Sequence, residues 1–255
     1  MARNRSTNRR RRRGRFSFLL KLVCLLLIIG AVIAALTLFF KVQSIAVSGN
    51  ERYSQEEVVA ASGIRVEDNL FLLNKYSAAQ AIFETLPYVE EATIKRSLPD
   101  TIVITVRECA AVAGVVTAEG TWLISENGKF LEQADALPAG CPEVVGLTID
   151  APAPSAQLSL GEDKTLAVET LLALLRTAGG SGMRAGIGRI DLSDAADITF
   201  TYLGRFTVRL PWDADLELIF RSVQQMVNEL ESNQTGEINY MLLESQGEIH
   251  FIPAK

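Results

Sequence analysis

Few residues of this chain have the types and spacing that catalysis or metal binding requires. His250 is the single histidine, so a hydrolytic triad or a histidine-based zinc site would depend on it alone. Asp191, Asp194 and Asp197 resemble a calcium loop, but they lack its alternating ligand spacing and its final glutamate, and aspartate is common in turns. We therefore predict that the chain is not an enzyme and that it holds no catalytic residue, metal or cofactor.

The glycines between Gly179 and Gly188 stand in the wrong order for a phosphate-binding loop. Such a loop follows a strand and opens a helix, whereas this stretch follows a predicted helix and precedes a predicted strand. Cysteine chemistry is sparse as well, because Cys24 lies in an apolar stretch and only Cys109 and Cys141 remain. These two could form a disulfide outside the cytoplasm, but so few cysteines favour two small buried residues.

One apolar stretch near the N-terminus, residues 22–40, decides where the rest of the chain can act. Its 19 residues carry no charge and lie between Lys21 and Lys41. As a helix they would be about 28 Å long, close to the hydrocarbon core of a bilayer. A cleaved signal peptide is the alternative, but its apolar region is shorter and ends in small residues, whereas this one ends in Phe39 and Phe40. We interpret residues 22–40 as a retained transmembrane helix and residues 1–21 as a basic cytoplasmic tail.

The charge distribution predicts the orientation of this helix. Residues 1–15 contain eight arginines and no acidic residue, a pattern typical of a cytoplasmic flank that also contacts anionic lipid. Nucleic-acid binding is the alternative for such a run. Beyond Lys41, however, 15 basic residues stand against 30 acidic ones, and such a surface repels nucleic acid. We predict a single-pass membrane protein with its N-terminus in the cytoplasm, its C-terminus outside, and membrane lipid but no nucleic acid as a partner.

Residues 42–110 predict a first extracytoplasmic unit with the element order β-α-α-β-β. The strands are expected at Val42 to Val47, Val89 to Arg96 and Thr101 to Glu108. Ser54 and Glu57 have the spacing of a capping box at the start of the first helix, and Ser77 and Gln80 have it for the second.

Residues 111–255 predict a second unit, an antiparallel β-sheet with two helices. The expected strands are Val112 to Val116, Thr121 to Ser125, Ile187 to Leu192, Ile198 to Tyr202, Phe206 to Leu210, Glu237 to Leu243 and Glu248 to Ile252. One helix should begin at a box of Ser159 and Glu162. The clearer helix runs from Asp215 to Leu230, where apolar residues recur at spacings of three and four. The predicted fold class is therefore α+β, with one transmembrane helix before two folded units.

Several stretches of the chain resemble the FtsQ/DivIB family of bacterial cell-division proteins. They are VSGNERYSQEEVVAASGI, NLFLLN, LPYVEEATIKRSLPDTIVITVRE, and WLISENGKFL around Trp122. The resemblance covers nearly the whole chain. It implies that residues 42–110 are a POTRA domain and that residues 111–255 are the family's second, β-rich domain.

The resemblance also implies a function, a non-enzymatic scaffold at the division septum. The implied partners are small bitopic proteins of the FtsL type and the FtsB/DivIC type, together with the septal wall synthesis machinery. Two alternatives stay open, a wall-processing enzyme with an unrecognised site and a POTRA-bearing transport or envelope-assembly component. The transport reading is weakened because no series of barrel-length strands follows the first unit.

The last two strands are the predicted partner-binding site. The final strand, Glu248 to Ile252, has an open side for an incoming strand if it lies at the edge of its sheet. A central position, or an edge protected by the charge of Glu248 and the nearby Glu244, is the alternative, and the resemblance favours docking. The large side chains Tyr240, Leu242 and Phe251 are the expected anchors, because aromatic residues dominate interface hot spots. The complete predicted site is Tyr240, Leu242, Glu248, Ile249, His250, Phe251 and Ile252.

Overall fold

The computed structural model of the protein describes residues 12–149, 151–159, 165–231, 233–243 and 246–254. Its first element is helix α1 (Arg12–Phe39). Within the described chain, Phe18–Ala35 is the one segment that is long and apolar enough to cross a membrane, judged by length and composition. None of that segment is buried, as expected for side chains that face lipid. The predicted apolar helix is therefore present and starts before Leu22, while most of the predicted basic tail lies outside the described residues.

The first unit has the predicted β-α-α-β-β order. Its elements are β1 (Ser44–Ser48), α2 (Gln55–Ser62), α3 (Lys75–Thr85), β2 (Val89–Ser97) and β3 (Thr101–Glu108). The sheet order is β1-β3-β2, with β3 parallel to β1 and antiparallel to β2. The alternating Ile102, Ile104 and Val106 are buried as the strand pattern predicts, and they pack on the two helices in one core.

The two helices of this unit begin at different kinds of cap. Ser54 and Glu57 form the predicted capping box of α2, with Glu57 Oε2 accepting from the backbone nitrogen of Ser54 at 2.8 Å. Helix α3 instead begins at Asn74, whose Oδ1 accepts from the backbone nitrogens of Tyr76 and Ser77. The predicted box at Ser77 was wrong because asparagine is an equally strong cap and stands one turn earlier.

The second unit is built on one nine-stranded sheet. Its strands are β4 (Ala113–Thr117), β5 (Gly120–Ile124), β6 (Phe130–Gln133), β7 (Glu143–Val145), β8 (Ile187–Asp191), β9 (Asp197–Tyr202), β10 (Phe206–Pro211), β11 (Gly236–Leu243) and β12 (Gln246–Pro253). Their order is β12-β11-β10-β9-β8-β7-β4-β5-β6. The two helices are α4 (Thr165–Gly180) and α5 (Leu216–Glu229).

This sheet is mixed, and in that respect differs from the antiparallel sheet expected from the sequence. The pairs β4-β7, β7-β8 and β10-β11 are parallel. The physical reason is clearest at β10 and β11, because a helix between two neighbouring strands returns the chain to the end where it began. The α+β class, the two sheets and the two helices of the second unit are confirmed.

The core of the second unit lies between this sheet and its two helices. Phe200 on β9 stacks on Phe220 of α5 with ring centroids 5.6 Å apart. Asp215 caps α5 by accepting from the backbone nitrogen of Leu218, so the predicted start of this helix is confirmed. The predicted box of Ser159 and Glu162 at the start of α4 lies partly outside the described residues.

A buried lysine joins the two units. Lys129 is 1% exposed, and its Nζ donates to the carbonyl oxygens of Phe83 and Val89, both at 2.8 Å. Phe83 lies in the last turn of α3, where unpaired carbonyl groups favour a cation. The ammonium group is also 3.5 Å from the centroid of the Phe83 ring. Burial lowers the pKa of Lys129 to about 8 because it removes water from the charged form.

A second link lies beside this lysine. The hydroxyl of Tyr88 donates to Oε1 of Glu132 at 2.6 Å, and the Arg52 guanidinium stacks 3.6 Å above the Tyr88 ring. Burial, followed by this hydrogen bond, raises the pKa of Tyr88. Both links connect the second unit to one end of the first unit, the end that is remote from α1. We therefore propose that the boundary between the two units lies between residues 110 and 111. A fragment of residues 42–110 that does not fold alone would contradict this boundary.

Candidate partner-binding edge

Strand β12 lies at one end of the nine-stranded sheet, as required for strand addition. It pairs with β11 over eight residue pairs, from Gly236 opposite Pro253 to Leu243 opposite Gln246. Within the described residues, β11 is the only strand beside it. No strand of the described residues occupies the other side of β12, which is the side where an additional strand would pair.

The register determines which backbone groups of β12 point outwards. Ala254 donates its N–H to the carbonyl of Thr235 at 2.9 Å, and hydrogen-bonded and non-hydrogen-bonded pairs alternate along an antiparallel ladder. It follows that His250 and Ile252 exchange hydrogen bonds with β11, whereas Ile249 and Phe251 direct theirs away from it. Pro253 also falls on the outward set, where a strand tolerates the missing N–H.

The side chains of β12 divide between two faces. Ile249 and Phe251 are half-buried and pack against the core of the second unit, and the Phe251 ring meets Phe206 edge-on at 6.1 Å. His250 and Ile252 are exposed on the opposite face, where 52% of Ile252 is accessible. Because no described strand covers the outer flank, the apolar face is incomplete at Ile249 and Phe251, and an added strand would extend it.

The predicted anchors occupy unequal places. Tyr240 is 7% exposed and belongs to the core opposite Ile249, so its ring supports the edge from within. Phe251 is half-buried and packs against the same core. Leu242 and Glu248 have described backbone positions in the ladder, but their side chains lie outside the described part. Ile252, included in the site but not expected as an anchor, is the most exposed apolar side chain among those described on β12.

Two residues that sequence reasoning missed hold the edge in place. A Cβ on Gly236 would stand 2.2 Å from the carbonyl oxygen of Ile252, so this position requires glycine for the close approach of β11 and β12. Arg205 donates through Nη1 to the carbonyl oxygens of Glu231 and Gln234, which fixes the turn before β11. Neither role has a local signal, because both depend on contacts between strands and turns that are distant in sequence.

The outer face of the sheet beside this edge is polar. Arg209 on β10 lies between two carboxylates, with Nη1 3.3 Å from Asp197 and Nε 3.1 Å from Glu237. The hydrogen bonds with Asp197 and Glu237 raise the pKa of Arg209. Because Glu237 pairs with Ile252 across the ladder, this ion-pair group borders the exposed side of β12.

The aspartates and cysteines considered as candidates for metal binding or reactivity do not form a common site in the described residues. Asp191 and Asp194 accept from the backbone nitrogens of Ser193 and Ala196, which is the arrangement of aspartates in turns. Hydrogen bonds with the side chain of Ser193 and then with its backbone lower the pKa of Asp191. Cys109 and Cys141 are both free thiols. Among the described residues, no group of three or more histidine, cysteine or acidic side chains could hold a metal ion.

In comparison with known proteins, the matches are to FtsQ and DivIB cell-division proteins. Residues 40–108 match the FtsQ-type POTRA domain. Cell division protein FtsQ of Syntrophotalea carbinolica is 30% identical over 182 residues, covering 69% of this chain and 61% of that relative. Cell division protein DivIB of Clostridium tetani is 34% identical over 97 residues, covering 38% of this chain and 36% of the relative. Cell division protein FtsQ of Corynebacterium glutamicum is 34% identical over 124 residues, with 49% and 55% covered. The chain thus spans less than two thirds of each of these relatives.

Proposed function

We propose, from the premise that this chain belongs to the FtsQ/DivIB family of cell-division proteins, that it is a non-enzymatic scaffold which binds a small bitopic division protein by strand addition at β12. The observation that carries the proposal is the edge position of β12, where the backbone N–H and C=O groups of Ile249 and Phe251 are directed away from β11. The family resemblance supplies the class of partner, an extracytoplasmic segment of the FtsB/DivIC type, with an FtsL-type protein in the same assembly.

Strand addition suits a scaffold because it needs little from the partner's side chains. Each backbone hydrogen bond contributes about 0.5–1.5 kcal/mol net, and several in a row add up to useful affinity. The half-buried Ile249 and Phe251 contribute an apolar strip that a partner side chain can cover. Binding then couples the partner to the septal wall synthesis machinery through proximity, and requires no reaction by this chain.

Amide hydrogen exchange on the full chain tests this function. The synthetic extracytoplasmic segment of an FtsB/DivIC-type partner should slow exchange at Ile249 and Phe251. His250 and Ile252 should change less, because β11 already protects them in the free chain. Slowed exchange at another strand, with Ile249 and Phe251 unchanged, would place the partner elsewhere and refute the proposal.

We further propose that the N-terminus lies in the cytoplasm and that the folded units lie outside it, at the septum. The support is the run of eight arginines before the apolar helix and the acidic composition after it. A reporter that is active only outside the membrane, fused after Lys255, should be active. An inactive fusion that external protease does not reach would show the opposite orientation.

A further inference from the structure

The end of the first unit that lies next to α1 is held by the backbone of residues 40–43. Leu70 donates its N–H to the carbonyl of Phe40, and Val42 donates to the carbonyl of Asp68, both at 2.8 Å. Glu67 donates in return to the carbonyl of Val42 at 2.8 Å. The loop before α3 is therefore tied to the residues that directly follow the membrane helix, without any intervening linker.

A second segment is tied to the same place. Gln43 donates its N–H to the carbonyl of Asp100 in the turn between β2 and β3 at 2.8 Å. Arg96 reaches across from β2 and donates to the carbonyl oxygens of Leu70 and Leu73, at 2.5 and 2.7 Å. The loop and the turn thus form one membrane-proximal end of the unit, which consists of residues 40–43, 64–76 and 95–101.

The exposed apolar side chains of the unit are confined to this end. Between residues 40 and 149, all of which the structure describes, the exposed large apolar side chains are Val66 (58%), Phe71 (44%), Leu72 (76%), Tyr76 (77%) and Leu98 (61%). Each belongs to the membrane-proximal end. Phe71 contacts the residue that directly follows the membrane helix, because its ring packs edge-on against Phe40 with the ring centroids 5.0 Å apart.

The charge of this end also differs from the rest of the extracytoplasmic chain. It carries five basic and three acidic residues, whereas residues 42–255 as a whole contain twice as many acidic as basic ones. The basic residues are Lys41, Arg65, Lys75, Lys95 and Arg96. Apolar and aromatic side chains flanked by lysine and arginine are the composition of segments that lie in a membrane interface.

We propose that Val66, Phe71, Leu72, Tyr76 and Leu98 form a membrane-seating surface, which inserts into the interfacial layer of the lipid leaflet next to the folded units. Phe39 is the last residue of α1 and Phe40 follows it directly, which places both aromatic rings at that interface. Leu72 is two residues from Leu70, which bonds to Phe40, and the chain covers at most about 7 Å in that distance. The occupant of the patch is therefore the lipid itself, and not a distant ligand.

The membrane-seating surface fixes the direction of the whole extracytoplasmic part. A single helix followed by a flexible joint would leave the folded units free to tilt, whereas a second attachment at the loop and the turn holds the first sheet upright on the bilayer. The two links at Lys129 and at Tyr88 then hold the second unit, and with it β12, at a set distance from the lipid. The membrane-seating surface contains no residue of β12, so its contact with lipid does not depend on the partner proposed for that strand.

Depth-dependent fluorescence quenching on the full chain tests the inference. The native cysteines Cys24, Cys109 and Cys141 are replaced by alanine, and the variants Leu72→Cys, Leu98→Cys and Thr85→Cys are labelled with a nitrobenzoxadiazole dye. Thr85 is the matched control, because it is exposed and lies at the opposite end of α3. The proteins are reconstituted in vesicles of phosphatidylcholine and phosphatidylglycerol that carry a spin label high on the acyl chain. Circular dichroism of each variant confirms that it is folded.

We expect the dyes at Leu72 and Leu98 to lose most of their intensity to the spin-labelled lipid and the dye at Thr85 to lose little, consistent with an insertion depth of about 5–10 Å. Equal and weak quenching at all three positions would overturn the proposal. A blue-shifted but unquenched dye at Leu72 would also overturn it, because that result indicates cover by protein, either a second copy of the chain or another membrane helix.

Discussion

Replacing Ile104 by aspartate is expected to unfold the first sheet and, because we propose that the first unit helps to recruit the protein to the division septum, to abolish that recruitment. Ile104 is fully buried on the central strand β3, between Val47 of β1 and Ile94 of β2. A carboxylate there would have no partner and no water, and the cost of such a buried charge is several kcal/mol. That cost is a large part of the total stability of a domain of this size.

The neighbouring position on the same strand provides the control. Thr105 is exposed on the opposite face of the sheet, so Thr105→Asp adds the same charge without burying it and should leave the fold intact. Chemical unfolding of the full chain measures the loss of stability, and a fluorescent fusion measures recruitment. Normal septal recruitment of Ile104→Asp, with the first sheet shown to be unfolded, would remove this unit from the localisation mechanism.

The features that the sequence predicts well are those with local causes. The buried alternation of Ile102, Ile104 and Val106 needs only the two-residue period of a strand. The start of α2 follows from the spacing of Ser54 and Glu57, and its end from the positive φ of Gly63. Such signals lie within one turn or one strand, so no knowledge of the rest of the fold is needed to interpret them.

The features that the sequence does not predict arise from contacts between distant segments. Strand β7 has only three residues, and its parallel neighbours β4 and β8 are far from each other in the chain. Lys129 follows a hairpin turn and would be placed on the surface by composition, yet it is buried under the end of α3. Its burial depends on how two units pack, which no local pattern encodes.

The candidate site shows the same division. The existence of two final strands is predictable, but the burial of Tyr240 and the exposure of Ile252 depend on which face of β11 and β12 meets the helices. The proposed membrane-seating surface is a further case, because the loop that carries Leu72 and the turn that carries Leu98 are joined to the same end of the unit by the contacts of Arg96 and Gln43. Sequence patterns predict the strands and helices at β12 and at the membrane-seating surface. Which of their side chains are accessible depends on the tertiary fold.

Replacing Ile249 by proline is expected to weaken partner binding at least about tenfold, which corresponds to about 1.4 kcal/mol. The N–H of Ile249 points away from β11, so proline removes a group that an added strand would bond and leaves the ladder to β11 complete. The pyrrolidine ring also occupies the space in which the incoming backbone would lie. Both effects act on the complex more than on the free chain.

Valine at the same position is the matched control. Ile249→Val keeps the N–H and the β-branched shape and removes one methyl group from a half-buried side chain, so its binding should stay close to that of the unmodified chain. Amide exchange of His250 and Ile252 shows whether the pairing of β11 and β12 survives in the proline variant. Intact exchange protection at these two residues assigns any loss of affinity to the outer edge.

The most direct measurement of the central claim is therefore a titration of three full-length chains in lipid nanodiscs with the extracytoplasmic segment of an FtsB/DivIC-type partner. The chains are the unmodified protein, Ile249→Val and Ile249→Pro. Strand addition at β12 predicts equal dissociation constants for the first two chains and a dissociation constant at least about tenfold higher for Ile249→Pro. Equal affinity of the proline and valine chains, with β12 still paired to β11, would contradict strand addition at this edge.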